Sequence, residues 1–282
     1  MTFRRFGSCV FFISLALLLP VAGLLAQDQS APQTPPQQQK ASAPDYPDPR
    51  TLTLGIFYWA TGPGTNPGVF GGRKATDFAA LPDLGRPHRS PGAEISFPIS
   101  RTGSLHAQYF QTKGDADQIA ATSPVLFGTQ FTKGDALATQ FQIKSAKLYL
   151  DDLLFPHKFP VARFRLKSLW GVQFVKDYAV IDKPGLTPTT GAGTKQLILP
   201  SIGMAAEYAV TPHVLFRVDG SGFGLYHRSD LWDASATLSW RRGRMEILGG
   251  GKAFHFKTSP NTDEYMTATL TGGFVGVRYH WR

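Results

Sequence analysis

From Thr51 to the C-terminus, apolar and polar residues alternate with a period of two, the signature of strands with one apolar and one polar face. In 161–175, Ala162, Phe164, Leu166, Ser168, Trp170, Val172 and Phe174 alternate with Arg163, Arg165, Lys167, Leu169, Gly171 and Gln173. In 231–241, Trp232, Ala234, Ala236, Leu238 and Trp240 form one face and Asp233, Ser235, Thr237, Ser239 and Arg241 the other. No segment carries apolar residues at helical spacing over three turns. The pattern predicts about ten strands, at 51–59, 92–100, 104–113, 137–150, 161–175, 196–210, 213–221, 231–241, 244–257 and 265–282. Long connections alternate with short ones, at 101–103, 211–212 and 242–243, with 151–160 the medium-length member of the short set.

Two features complicate this reading. Along 137–150 the apolar parity changes midway, from Phe141 and Ile143 to Ala146, Leu148 and Leu150, which predicts a bulge. The pentapeptide Thr-Lys-Gly-Asp-Ala occurs at 112–116 and again at 132–136, and Gly-Asp predicts that both copies are strand ends entering turns. The second copy leaves twelve strands as the alternative count.

Alternation does not say which way the apolar faces point. The short-turn and long-loop asymmetry favours an outer-membrane barrel with those faces toward lipid. Trp232 and Trp240 bracket one strand, eight residues apart. At about 3.3 Å per residue and a tilt of about 40° that is roughly 20 Å along the membrane normal, near the ~25 Å apolar band. The opposite faces carry Arg163, Arg165, Lys167, Glu207, Arg217, Asp219 and Arg278, which suit a polar lumen in which cations pair with acids such as Glu207 and Asp219. The expected fold is all-β, an antiparallel up-and-down transmembrane β-barrel over 51–282. A secreted soluble β-barrel or β-sandwich is the alternative.

Composition fits this picture. Of 282 residues, 17 % are charged, against about 25 % in an average soluble domain, and 12 % are aromatic. Residues 1–26 read as a cleaved signal peptide, with Arg4 and Arg5 ahead of an apolar stretch, Pro20, and Leu24-Leu25-Ala26 before the cut. The only cysteine, Cys9, lies within it, so the mature chain is expected to have no disulfide, reactive thiol or thiolate metal site. Residues 27–50, rich in Pro and Gln, read as an extended periplasmic linker. Without the signal the formal charge is (29 − 2) − 20 = +7.

The signal peptide, the segment Glu207-Tyr208-Ala209-Val210-Thr211-Pro212 leading into Val214-Leu215-Phe216-Arg217, and the final Val277-Arg278-Tyr279-His280-Trp281 resemble the small outer-membrane β-barrel proteins of Gram-negative bacteria, the broad group of OmpA-like and OmpW-like barrels. The resemblance covers about 51–282. It implies residence in the outer membrane, contact with its lipid and lipopolysaccharide, and insertion by the barrel-insertion machinery.

Candidate chemistry is sparse. The seven histidines include no close pair at metal-ligand spacing, so no metal and no cofactor are expected. The runs Gly249-Gly250-Gly251 and Gly272-Gly273 lack the strand–loop–helix context of a phosphate loop and are expected to let the sheet curve or backbones approach. The scattered cations form no basic aromatic platform for nucleic acid. His227 and Ser229 share a parity in His227-Arg228-Ser229-Asp230 and, with Asp233 as an orienting carboxylate, form a weak candidate for a lipid-modifying Ser/His hydrolase. Lys113, Lys176, Lys195 and Lys257 fall at strand ends on the long-loop side, with Arg73, Lys74, Arg86 and Arg89 in the first long loop. They are expected to form a rim at the depth of lipopolysaccharide head groups. The expected function is non-enzymatic: a structural or surface-binding barrel, or a narrow small-solute conduit, with a lumen suited to anions. Ten strands leave too narrow an interior for a wide porin.

Overall fold

The computed structural model describes residues 51–62, 65–72, 80–81, 83–155, 163–226 and 228–281. The expected signal peptide and linker, along with Arg73, Lys74 and His227, lie outside the described residues.

The chain forms a closed antiparallel barrel of ten strands: β1 (Leu52–Thr61), β2 (Pro91–Pro98), β3 (Gly103–Ile119), β4 (Ala136–Leu153), β5 (Phe164–Lys183), β6 (Thr189–Thr211), β7 (Val214–Gly224), β8 (Asp230–Arg242), β9 (Met245–Lys257) and β10 (Glu264–Trp281). Each strand pairs with its sequence neighbour, and β1 closes the barrel on β10 with Leu52 opposite Trp281. Closure leaves the wall without an unpaired edge, the condition for a sheet to stand in hydrocarbon. Three further strands, Gly68–Gly71, Ala80–Leu81 and Arg86–Arg89, come from the first long loop. They extend the wall over the short β1 and β2 by pairing with β10 and β3.

Apolar residues face outward along the periplasmic part of the wall. Trp170, Ile198, Leu238 and Trp240 are all exposed, and so are Ile56 and Val275 elsewhere around the barrel. A soluble barrel has the reverse arrangement, so this continuous apolar exterior is a lipid-facing surface.

Above that band the amphipathicity inverts. On β4, Phe141 and Ile143 point into the barrel and are buried, whereas Leu148 and Leu150 point out. The pairing of β4 with β3 and β5 runs without a register shift, so the predicted bulge is absent. The parity change records instead that the apolar face moves from the outside to the inside as the strand leaves the membrane. The same inversion carries β5 on to Lys183 and starts β6 at Thr189, so the long connection expected at 176–195 shrinks to five residues. There Ala179 and Ile181 are buried inside while Tyr178 is exposed outside.

The two pentapeptides have different structures. Copy 112–116 lies within β3 rather than at its end. Gly114 there leaves no room for a Cβ, which would meet Arg86 O at 2.3 Å. Copy 132–136 is the expected turn: Gly134 has φ 94° and the Thr132 N–H donates to Asp135 Oδ2 at 2.8 Å. The extra pairing in that loop, Val125–Leu126 with Thr129–Gln130, is a small separate sheet, so the barrel count stays at ten.

Candidate functional site

The barrel interior has two layers. The extracellular layer is an apolar plug. Trp59 and Phe110 meet edge to face with centroids 5.4 Å apart, and Phe110 meets Phe254 at 5.0 Å. Leu137, Phe141, Ile181, Phe256 and Met266 fill the space above them. The loops complete it: Val69, Leu81 and Leu84 from the first, Leu126 and Phe131 from the second, all at most 4 % exposed.

Beneath the plug lies a polar cavity of about 210 Å³, lined from Pro212 and His213 at the periplasmic end up to Phe57 and Lys252. Most of its charges are paired. Glu207 receives Arg165 at 2.9 Å, Lys167 at 3.2 Å and Arg217 at 3.2 Å. Lys167 also meets Asp151 at 2.7 Å, and Arg217 Nε donates to Asp219 Oδ1 at 3.1 Å. A second group joins Arg278 to Glu94 at 2.7 Å and to Glu246 at 2.9 Å, with His280 Nε2 2.6 Å from Glu246 Oε2. A third joins Lys147 to Asp233 at 2.7 Å and to Ser221 Oγ at 2.6 Å. Between the layers, Lys252 donates to Gln108 Oε1 at 3.1 Å with its ammonium 5.1 Å from the Phe110 ring centroid.

The expected lumen residues Arg165, Lys167, Glu207, Arg217 and Asp219 are therefore brought together. Arg163 is not. It precedes β5 and is exposed at the periplasmic rim, where its carbonyl accepts the Ala209 N–H. Sequence reasoning missed Asp151, Lys147, Glu94, Glu246 and Lys252. For Asp151, Lys147 and Glu94 the signal was available, since each lies on the parity opposite the apolar face of its strand; Glu246 and Lys252 lie on β9, where apolar residues occupy both parities. Seven cationic side chains of the lining, Arg241 at the mouth included, face six acidic ones.

The rim lysines separate. Lys113 and Lys176 point outward from β3 and β5, beside Lys144 of β4. Lys257 also points outward, its ammonium 5.2 Å from the Tyr265 ring, but on the β9–β10 wall beyond β1 and β2. Lys195 does not belong to an outer rim. It shares the inward parity of buried Leu197 and Leu199, stands opposite Asp177 and meets Glu264 at 3.7 Å. Of the hydrolase candidates, Ser229 lies buried in the loop before β8, and its carbonyl accepts the Leu225 N–H. Asp233 Oδ1 accepts from Lys147 and Ser221 deep in the lumen, which commits that carboxylate to the charge network.

No protein-family model and no curated protein sequence matches the chain. Among solved structures, the chain is similar to the outer-membrane protease OmpT from Escherichia coli, at 9 % identity and a TM-score of 0.55 over 83 % of this chain and 97 % of that one. Weaker likenesses include the translocator domain of the autotransporter NalP from Neisseria meningitidis (8 % identity, TM-score 0.43, 85 % and 92 % covered) and the attachment invasion locus protein Ail of Yersinia pestis (9 %, 0.35, 82 % and 99 %). The likeness to OmpT is one of fold: a ten-stranded antiparallel barrel of the outer-membrane type.

Proposed function

We propose that this chain is an outer-membrane barrel whose role is structural or surface-binding, with no open path for solutes through its interior. The observation that carries this reading is the plug: Trp59, Phe110, Phe131, Phe141, Phe254 and Phe256, each at most 3 % exposed, occupy the extracellular half of the lumen. This largely apolar layer opposes the passage of ions and polar solutes, which would shed much of their hydration there. The charged layer below supports the same reading. Its cations and acids satisfy one another across the lumen, which holds opposite walls together and leaves little net field to attract a solute. In this account insertion depends on the barrel-insertion machinery, and the extracellular loops are the part presented to the surroundings.

The test is solute entry into liposomes carrying the refolded barrel. Swelling in isotonic sugar or amino-acid solutions should match that of protein-free liposomes. Swelling that scales with the amount of barrel and falls with solute size would establish a conduit and overturn the proposal.

A further inference from the structure

The outer wall changes character within one step of register. Across β3, β4, β5 and β6 one row reads Tyr109, Ala146, Phe174, Ile198. The next row toward the extracellular side reads Gln111, Lys144, Lys176, Gln196, and the one after it Lys113, Gln142, Tyr178, Thr194. The first row belongs to the lipid-facing band, with Ile198 65 % exposed. The second opens the polar exterior.

Lys144 and Lys176 stand directly opposite one another on this face. Opposed residues on one face hold their Cβ atoms about 4.5–5.5 Å apart, and like charges so placed destabilise the pair. Among the described residues neither lysine has a carboxylate at ion-pair distance, and neither does Lys113 diagonally above them. An anion from outside the protein would remove the repulsion. The adjoining side chains suit an oxyanion: Gln111 accepts the Tyr109 hydroxyl at 3.2 Å through Oε1, which leaves its amide N–H groups as donors beside Lys144.

We infer that Lys144 and Lys176, with Lys113 above them, bind the phosphate of a lipid headgroup in the outer leaflet. The occupant is a lipid rather than a free anion because the floor of the site, Ala146 and Phe174, is continuous with the lipid-facing band. A phosphate seated on the lysine row lays its acyl chains along that band. The inference rests on the barrel standing in the membrane, as proposed above. It does not depend on whether the lumen conducts, so conductance of the wild-type barrel would fail that proposal without touching this one.

The experiment measures binding to the refolded full chain in neutral detergent micelles. Its probes are phosphorylated lipid A, the same lipid with its phosphates removed, and inorganic phosphate alone. Native mass spectrometry counts retained lipid, and lipid-dependent thermal unfolding gives the affinity. The wild type should retain the phosphorylated lipid and not the dephosphorylated one. K144Q/K176Q should bind it roughly twenty-five-fold more weakly, about fivefold for each lysine, and K144R/K176R should keep most of the affinity. In lipid-free micelles the glutamine variant should be at least as stable as wild type, a result that a purely structural role for the lysines would not give. Equal lipid binding by K144Q/K176Q would overturn the inference. So would equal binding of dephosphorylated lipid, or inorganic phosphate binding as tightly as the lipid. If the glutamine variant does not refold, the arginine variant and the dephosphorylated lipid still decide.

Discussion

The Lys147 ammonium on β4 crosses the lumen to donate to Asp233 Oδ1 on β8 at 2.7 Å, with the two side chains 5 % and 6 % exposed. Three strands separate the pair along one side of the wall and five along the other, so the contact ties opposite parts of the barrel rather than neighbours. Removing one partner leaves the other charge buried. Lys147→Met is therefore expected to destabilise the barrel by about 3–5 kcal/mol, and Lys147→Met combined with Asp233→Leu by distinctly less. Urea unfolding of the refolded barrel, followed by tryptophan fluorescence, checks both. Equal losses for the single and double variants would contradict the pairing.

The inversion on β4 predicts opposite responses from two positions of the same parity. Leu148 faces lipid and Gln140 faces water on the extracellular extension. Leu148→Arg should cost about 2–4 kcal/mol. Gln140→Arg should stay within about 0.5 kcal/mol. The comparison is made by denaturant titration in lipid vesicles, where the bilayer supplies the penalty.

Two adjacent glycines differ sharply. A Cβ on Gly250 would meet Ala236 O at 1.9 Å, whereas one on Gly251 meets nothing within 4 Å. Gly250 has the inward parity of buried Leu248 and Lys252, and there the backbone of Ala236 on β8 leaves a side chain no room. Gly250→Ala is expected to destabilise by about 1–3 kcal/mol, the usual range for overpacking, and Gly251→Ala to be nearly neutral. Thermal midpoints in micelles read the difference.

Lys183 at the end of β5 hydrogen-bonds the carboxylate of Asp135 in the second long loop at 2.8 Å and, with the Thr132 N–H, holds its pKa below the ordinary aspartate value. A carboxyl depressed in the folded state contributes stability above its unfolded pKa and loses it as pH falls through the folded one. Hydrogen exchange at Thr132 should therefore show firm protection at neutral pH and a loss of protection in acid. Asp135→Asn should remove that pH dependence.

The strand pattern was legible in the sequence because alternation persists in most barrel strands, although 244–257 carries apolar residues on both parities, and the outward face was legible on β8, where Trp232 and Trp240 are both exposed. The inversion was not. A parity change has the same appearance whether one residue is inserted or the solvent on the two faces exchanges, and the β4 stretch from Phe141 to Leu148 was read as the former. The strand ends at 175 and 196 were misplaced for the same reason, since Ala179 and Ile181 lie on the parity assigned to the polar face. The inward parity of Asp151 and Lys147 was legible, but their ion-pair partners were hidden by closure, which brings together residues from strands that no local window connects. Lys195 was within reach: its parity with Leu197 and Leu199 already turns it inward.

The closed interior is tested most directly by single-channel recording of the refolded barrel in a planar bilayer. The plug of Trp59, Phe110, Phe254 and their neighbours predicts a baseline without steady unit steps at either polarity in molar salt. Reproducible steps of fixed conductance, proportional to bath salt, would contradict it.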